Sequence, residues 1–400
     1  MVSPDEPSTT SPKCIIVDIG GKNCRIGVSN FEKPLLECLS CEKKEIYCIQ
    51  ESGTLGCNPY YEPILQRGII TNWNFVEKQI KEFLHHQKIF ANKTSIIFTQ
   101  SIAATEDDKE KAMHVLFEKL GFHSICTISD AYLSFITSGK STGIIVQIGH
   151  SITEIIPIIN GEPLLQYATY FKVSGFDISS ELSSEINAFT FPSTNLPLKR
   201  DEIKEKMCYV PRDSTKELTK FNKNAKIQPP PVFLQRRSAT GKAFIKRFEQ
   251  QKSQNSSRIC FEIAEIWFSI DFVKIITDTV AKVPLQYQDA MYANIIISGG
   301  TAQMKGFKER FEHEMVKKLP NTTSLNVNYA NSDLANPSTS ENNIPNTSLA
   351  AFRGAVILAK HPNFSKLLTK RDEYSPEQFR RNRMIRTSKR IKNASLLLSS

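Results

Sequence analysis

The sequence predicts an α/β protein built as two duplicated lobes around a cleft. Three observations predict it. Ile15-Ile16-Val17-Asp18-Ile19-Gly20 returns as Ile144-Ile145-Val146-Gln147-Ile148-Gly149, with Asp18 against Gln147 the one mismatch. Each copy then passes through a glycine-bearing turn, Gly20-Gly21-Lys22-Asn23 or Gly149-His150-Ser151, into a second apolar run, which is a β-hairpin pattern. Further on, Ile295-Ile296-Ile297 ends in Ser298-Gly299-Gly300-Thr301 ahead of a helical pattern. Glycine lets successive N–H groups of a turn face one anion, and a helix N-terminus favours the same charge. Two facing hairpins and this turn would grip a polyphosphate, with Asp18 placed at a strand end for the accompanying metal ion. One such hairpin alone is an ordinary buried corner. Its repetition half a chain away is what argues for two lobes.

The bulk numbers agree. The chain has 400 residues, 40% hydrophobic and 23% charged, which is globular composition and long enough for two or more domains. No run approaches the ~18–20 apolar residues of a membrane span. Residues 1–13 are rich in Ser, Thr and Pro and lack the apolar core of a signal peptide, so a disordered start and a reducing compartment are expected. The nine cysteines are scattered apart from Cys38, Cys41, Cys48 and Cys57. Cys38-x-x-Cys41 opens like a zinc site, but no second pair follows, so ordinary thiols are expected. The net charge is +10, and Arg380, Arg381, Arg383, Arg386, Lys389, Arg390 and Lys392 supply seven of those charges without an intervening acid. The body therefore lacks the composition of a nucleic-acid-binding surface, and only the tail has it.

Taken in order, residues 14–28 form the first hairpin. Residues 29–67 show no clear period. Thr71 or Asn72 caps a helix whose apolar face carries Phe75, Val76, Ile80, Phe83 and Leu84. Residues 95–99 read as a strand, 106–120 as a helix, 124–128 as a strand and 130–138 as a helix. Residues 143–160 form the second hairpin. Helices follow at 175–186, 201–209, 259–270 and 273–283. The strand 295–297 and a helix over 307–319 complete the second lobe. Residues 220–257, with Pro229-Pro230-Pro231, and 321–348, rich in Asn, Ser, Thr and Pro, read as polar inserts.

Several segments resemble the actin family, in the family's own order. Gly68-Ile69-Ile70-Thr71-Asn72-Trp73 resembles GIVTNW. Ser138-Gly139-Lys140-Ser141-Thr142-Gly143-Ile144 resembles SGRTTGIV. Asp201 to Val210, containing Ile203-Lys204-Glu205-Lys206-Met207-Cys208-Tyr209-Val210, resembles DIKEKLCYV. Ser298 to Thr301 with Gly306 resembles SGGTTMYPG, and residues 353–359 and 370–374 are similar to the closing segments. The resemblance implies the α/β actin/Hsp70-type ATPase fold, two duplicated lobes around a nucleotide cleft. It implies a first lobe over 14–142, with a reduced pointed-end part at 29–67, and a second lobe over 143–348. A return to the first lobe over 349–379 and a basic tail over 380–400 would follow.

Carried over by position, the resemblance implies nucleotide-binding roles for Asp18, Gly20, Gly21, Arg25, Gly149, Lys204, Glu205, Gly299, Gly300 and Thr301. Asp18 would reach the metal through water. The cofactor implied is ATP or ADP with Mg²⁺, weakly or structurally held, or none at all. Departures cluster at the phosphate end. Gln147 and His150 replace aspartates, Asp130 replaces the water-orienting glutamine, and Glu154 replaces its assisting histidine. Gly21 and Arg25 stand for a Ser and a Lys, Gln303-Met304 for Met-Tyr near the base, and Ala355 for a hinge glycine. Asp130 and Glu154 would bring negative charge towards the γ-phosphate, or would be surface acids if the cleft is remodelled. Either way no efficient hydrolysis is expected, and no catalytic residue is assigned.

The short interval before Gly68 leaves little room for the loop with which actin docks into its neighbour. The helix ending Cys208-Tyr209-Val210, followed by Lys220-Phe221-Asn222 and the proline run, resembles the pointed-end actin-related subunit of dynactin. That resemblance implies a capping subunit in the cytoplasm and cytoskeleton, partnered by dynactin's filament and pointed-end proteins and supporting dynein-driven microtubule transport. The basic tail carries the alternative, a nuclear subunit partnered by a chromatin-remodelling ATPase, and is equally compatible with a solvated end.

Overall fold

The structure is a computed structural model and describes residues 14–49, 55–187, 196–223, 254–330 and 346–375. Residues 1–13, the basic tail over 380–400 and most of both polar inserts lie outside the described residues.

Two six-stranded mixed sheets organise the chain. The first starts with β1 (Ile15–Ile19), which turns back into β2 (Asn23–Val28), and continues to β3 (Leu36–Leu39). On its other side β1 pairs in parallel with β8 (Ser95–Gln100), β8 with β9 (Ser124–Ser129), and β9 with the short β16 (Thr369–Lys370). The second sheet repeats the plan. β10 (Gly143–Ile148) turns into β11 (Thr153–Ile159) and pairs in parallel with β14 (Ile295–Ser298). The predicted pair of hairpins thus seeds two separate sheets.

Between β3 and β8 the chain forms two ribbons and a helix. β4 (Cys41–Ile49) pairs along its whole length with β5 (Leu55–Pro63), and β6 (Leu65–Gln66) with β7 (Ile69–Ile70). The helix α1 (Trp73–His86) is capped by Asn72, whose Oδ1 accepts from Phe75 N at 3.0 Å. Residues 29–67, read as aperiodic, are therefore mostly strand. A two-stranded ribbon has no core face of its own to impose an alternation on the sequence.

The other first-lobe helices are α2 (Glu106–His114), with a Thr105–Asp108 capping box and a π-helical extension, and α3 (Asp130–Ile136), capped by Ser129. The second lobe adds β12 (Glu162–Pro163), β13 (Thr169–Phe171), α4 (Gly175–Asn187), α5 (Leu196–Met207) and α6 (Ser214–Lys223). The single helix predicted over 259–270 is two, α7 (Gln254–Glu262) and α8 (Glu265–Phe268). The break lets Trp267 reach Phe272 and Phe307 at 4.8 and 4.9 Å between ring centroids. Then come α9 (Phe272–Ala281), α10 (Leu285–Ala293), α11 (Phe307–Lys318) and β15 (Val327–Tyr329). β15 pairs with β14 inside the stretch read as a polar loop, because three residues carry too little pattern to announce a strand. The helix α12 (Ala350–Lys360) returns to the first lobe.

Both faces of each hairpin are buried, which is why the strands read as unbroken apolar runs rather than alternating ones. Ile15 and Val17 pack into the outer first-lobe core, and Ile144 and Val146 into the outer second-lobe core. Ile16 and Ile145 face a shared middle core that also holds Tyr132, Leu133, Phe135, Phe352 and Ala355. The helices α3 and α12 thus form a layer common to both sheets. No described helix is long and apolar enough to cross a membrane.

The layer depends on a close approach. A Cβ on Gly354 would lie 1.8 Å from the Leu133 carbonyl oxygen. Gly to Ala inside a helix ordinarily gains about 0.5–1 kcal/mol. Here overpacking of about 1–3 kcal/mol outweighs that gain. Gly354→Ala should melt below the wild type in a thermal scan, and an equal or higher Tm would show that α3 and α12 do not pack this way.

Candidate nucleotide cleft

The cavity between the sheets encloses about 820 Å³. All ten residues assigned to nucleotide binding line it: Asp18, Gly20, Gly21, Arg25, Gly149, Lys204, Glu205, Gly299, Gly300 and Thr301. The third turn is locked onto the second hairpin. Thr301 Oγ1 donates to Gly149 O at 2.9 Å. Gly299 sits at φ 93°, where a Cβ would lie 2.2 Å from the Ile148 carbonyl oxygen, so only glycine fits there.

The charged groups lining the cavity are largely occupied by one another. Asp18 is 4% exposed. Its Oδ1 accepts from Thr99 Oγ1 at 3.2 Å and its Oδ2 from Arg25 Nη1 at 3.4 Å. Burial raises the Asp18 carboxyl above its usual range, and Arg25 and Thr99 offset part of that. Arg25 also donates through Nε to Glu37 Oε1 at 2.9 Å and through Nη2 to Ser348 Oγ at 3.4 Å. Lys204 Nζ donates to Ser179 Oγ at 2.6 Å and to Gly175 O at 3.1 Å, with Asp201 at 3.6 Å. Glu205 pairs with Lys22 of the first hairpin turn. The basic residue retained at Arg25 is thus a clamp between two carboxylates.

The replaced positions form a second network. Gln147 Nε2 donates to Asp130 Oδ2 at 2.7 Å, and its Oε1 accepts from Ser134 Oγ at 2.8 Å. Glu154 is fully buried, and its Oε1 accepts from Ser101 Oγ and from Ile102 N, each at 2.7 Å. Burial pushes the Asp130 carboxyl well above the usual carboxylate range, and the charges of Glu154 and Asp18 add to it. Burial also raises Glu154, while its bonds to Ser101, Ile102 and Asp130 offset part of the rise. Two neighbouring carboxylates do not readily ionise together, and the upward direction at Asp130 makes it the group that holds the proton of the pair. Glu154 Oε2 is buried with no hydrogen-bond partner in the structure, and a proton held on the neighbouring Asp130 carboxyl would supply one. The expectation of surface acids is therefore corrected for Glu154, which is fully buried.

This donor set offers a Mg²⁺ ion one carboxylate, Asp18. Magnesium takes one or two carboxylates beside phosphate and water. Here each Asp18 oxygen already accepts one hydrogen bond, and Gln147 cannot replace a second carboxylate, so any Mg²⁺ would be held weakly.

Contacts also cross from lobe to lobe. Ser101 and Ile102 belong to the first lobe and Glu154 to the second. Gly68 N donates to Ser151 Oγ at 3.1 Å. Arg67 grips Asp177 through Nη1 and Nη2 at 2.8 and 2.7 Å, with its guanidinium 5.1 Å from the Phe176 ring. Sequence reasoning passed over Arg67, Thr99, Ser134, Lys22 and Glu37. Only Arg67 left a signal, the glycine after it: Arg67 and Gly68 both adopt positive φ, 51° and 85°.

Comparison with known proteins matches residues 9–381 to the Actin family. The chain belongs to the actin family. Rat actin-like protein 7A is 25% identical over 399 residues, spanning 93% of this chain and 83% of its own length. The human protein of that name is 24% identical over 396 residues, spanning 92% and 83%. These relatives carry a different name from the dynactin subunit that the sequence resemblance implied. The actin-family assignment stands without that finer one.

The shared proton makes a pH prediction. A carboxyl whose folded pKa lies above its unfolded value takes up a proton on folding, so its contribution is complete below the unfolded pKa and is lost as pH rises through the folded one. Asp130→Asn keeps a donor for Glu154 without the like charge. The variant should be more thermostable than wild type, with a gap that widens as the pH is raised from about 5 towards neutrality. A gap that is constant or narrows over that range would contradict the shared proton.

Proposed function

We propose that this chain is a non-hydrolysing actin-family subunit that ends an actin-type filament. The observation that carries the reading is the Ser134–Gln147–Asp130–Glu154 network. At the positions where the actin resemblance implies a water-orienting glutamine and its histidine, this chain has two acids bonded into the structure, Asp130 at the cleft wall and Glu154 fully buried. Phosphoryl transfer needs a positioned water and positive charge free to meet the developing charge on the phosphate. Asp130, Gln147 and Glu154 supply neither, and Arg25 and Lys204 are held by internal partners. Asp18, Lys204, Glu205 and the turn at Gly299 to Thr301 leave a nucleotide-shaped cavity in which ATP or ADP would be held weakly or structurally.

The capping part rests on the asymmetry of the two ends. Residues 143–159 and 349–374 keep an actin-like length and pattern and are the proposed docking side. The opposite side is cut down to the β4–β5 ribbon, leaving an altered face for proteins other than a further actin-type subunit. The pointed end of dynactin is the setting that the Cys208-Tyr209-Val210 segment and proline run suggest, and the relatives at hand support only the broader actin-type assembly.

Purified protein should release no phosphate from ATP above the buffer rate, and turnover comparable to actin's would refute the pseudo-ATPase reading. Added to seeded actin-type filaments, it should stop growth at one end without forming filaments alone. Affinity purification should recover actin-type filament subunits, whereas a remodelling ATPase recovered without such subunits would move the protein to the nuclear alternative.

A further inference from the structure

Cys24 on β2 and Cys38 on β3 are direct partners across an antiparallel pair. Directly opposite residues of such a pair share one face of the sheet, with Cα atoms about 4.5–5.5 Å apart. That spacing lies inside the range of about 4.4–6.8 Å spanned by disulfides. Both thiols are reduced in the structure. The contact between the two thiols raises Cys24 well above the usual thiol range, with burial adding to the rise, and lowers Cys38. Cys24 is 1% exposed, whereas Cys38 is half-buried and lines the cleft.

We propose that Cys24 and Cys38 are a redox modification site, closed to a disulfide by a hydroperoxide entering the cleft. The Cys38 thiolate attacks the peroxide oxygen. The O–O bond breaks, Cys38 becomes a sulfenic acid, and the leaving hydroxide or alkoxide takes up a proton. Cys24 then attacks the Cys38 sulfur through its own, water leaves with the Cys24 proton, and the S–S bond forms. Two thiols are oxidised and one hydroperoxide is reduced to water and an alcohol, or to two waters for hydrogen peroxide.

The location gives the bridge a consequence. Arg25 and Glu37, the neighbours of these two cysteines along their strands, are themselves paired at 2.9 Å. Closure would fix β2 to β3 beside the clamp that holds Asp18. It would also remove the Cys38 Sγ donor that reaches Gln79 Oε1 on α1 at 3.7 Å. The thiol pair Cys208 and Cys260 is comparably close but buried on both sides, out of reach of an oxidant.

The test treats the full-length protein with hydrogen peroxide, blocks remaining thiols and maps non-reduced peptides. Wild type and Cys41→Ser should each lose two hydrogens and yield a Cys24–Cys38 cross-link that dithiothreitol reverses. Cys24→Ser and Cys38→Ser should not, and unchanged thermal melts would establish that both variants fold. A Cys38–Cys41 bridge in place of Cys24–Cys38, or Cys38 carried to sulfinic acid while Cys24 is still alkylated by the block after unfolding, would overturn the proposal.

Discussion

The two lobes are keyed together by a carboxylate that neither could bury alone. Glu154 projects from β11 of the second lobe, fully buried, and takes its partners from Ser101 and Ile102 of the first. Asp130, the first residue of α3, supplies the remaining proton. With the lobes together, removing one partner of this buried charge costs about 3–5 kcal/mol. The half-exposed Lys22–Glu205 pair spans the same cleft, but exposed ion pairs contribute only about 0–1 kcal/mol. The relation of one lobe to the other therefore rests far more on Glu154 than on the ion pair at the mouth.

The cleft consequently has the outline of a polyphosphate site with its charges already spent. Arg25 lies between Asp18 and Glu37, and Lys204 lies among Ser179, Gly175 and Asp201. An incoming anion would have to draw these cations away from partners in a low-dielectric setting, where each pair is stronger than it would be in water. The backbone amides of the glycine turns remain, so the geometry of anion binding survives better than its electrostatics.

The duplicated hairpins were legible because burial on both faces forces two long apolar runs, and such runs are hard to produce by chance. The glycine turn after β14 was legible for a similar reason, since only glycine tolerates the carbonyl pressing on Gly299. The ribbon of β4 and β5 was not, because it builds no core, and neither was the break before α8. In the cleft, every residue assigned from the sequence lines the cavity. What could not be read was which side chain each of them holds. Thr99, Ser134 and Glu37 act as partners of Asp18, Gln147 and Arg25, and nothing local to a Ser, Thr or Glu declares a partner many residues away.

The replacements are also consistent with one another. With the aspartate of the second hairpin replaced by Gln147, a neutral side chain stands beside Asp130 that both donates and accepts, so it can bridge Asp130 and Ser134. An aspartate there would put a further carboxylate against an acid pair that already shares a single proton, at a cost rising steeply in a dry site. Glu154 in turn requires a hydrogen-bond donor at position 130, because a group unable to donate would leave Glu154 Oε2 buried without a partner. Gln147, Asp130 and Glu154 therefore act as one network, with Gln147 and Glu154 both matched to the side chain between them. Asp130 stands at the start of α3, in the layer where Leu133 meets Gly354, so this network is anchored in the core common to both lobes. Residues at the positions of the actin family's hydrolytic machinery have become, in this chain, part of what holds its halves together.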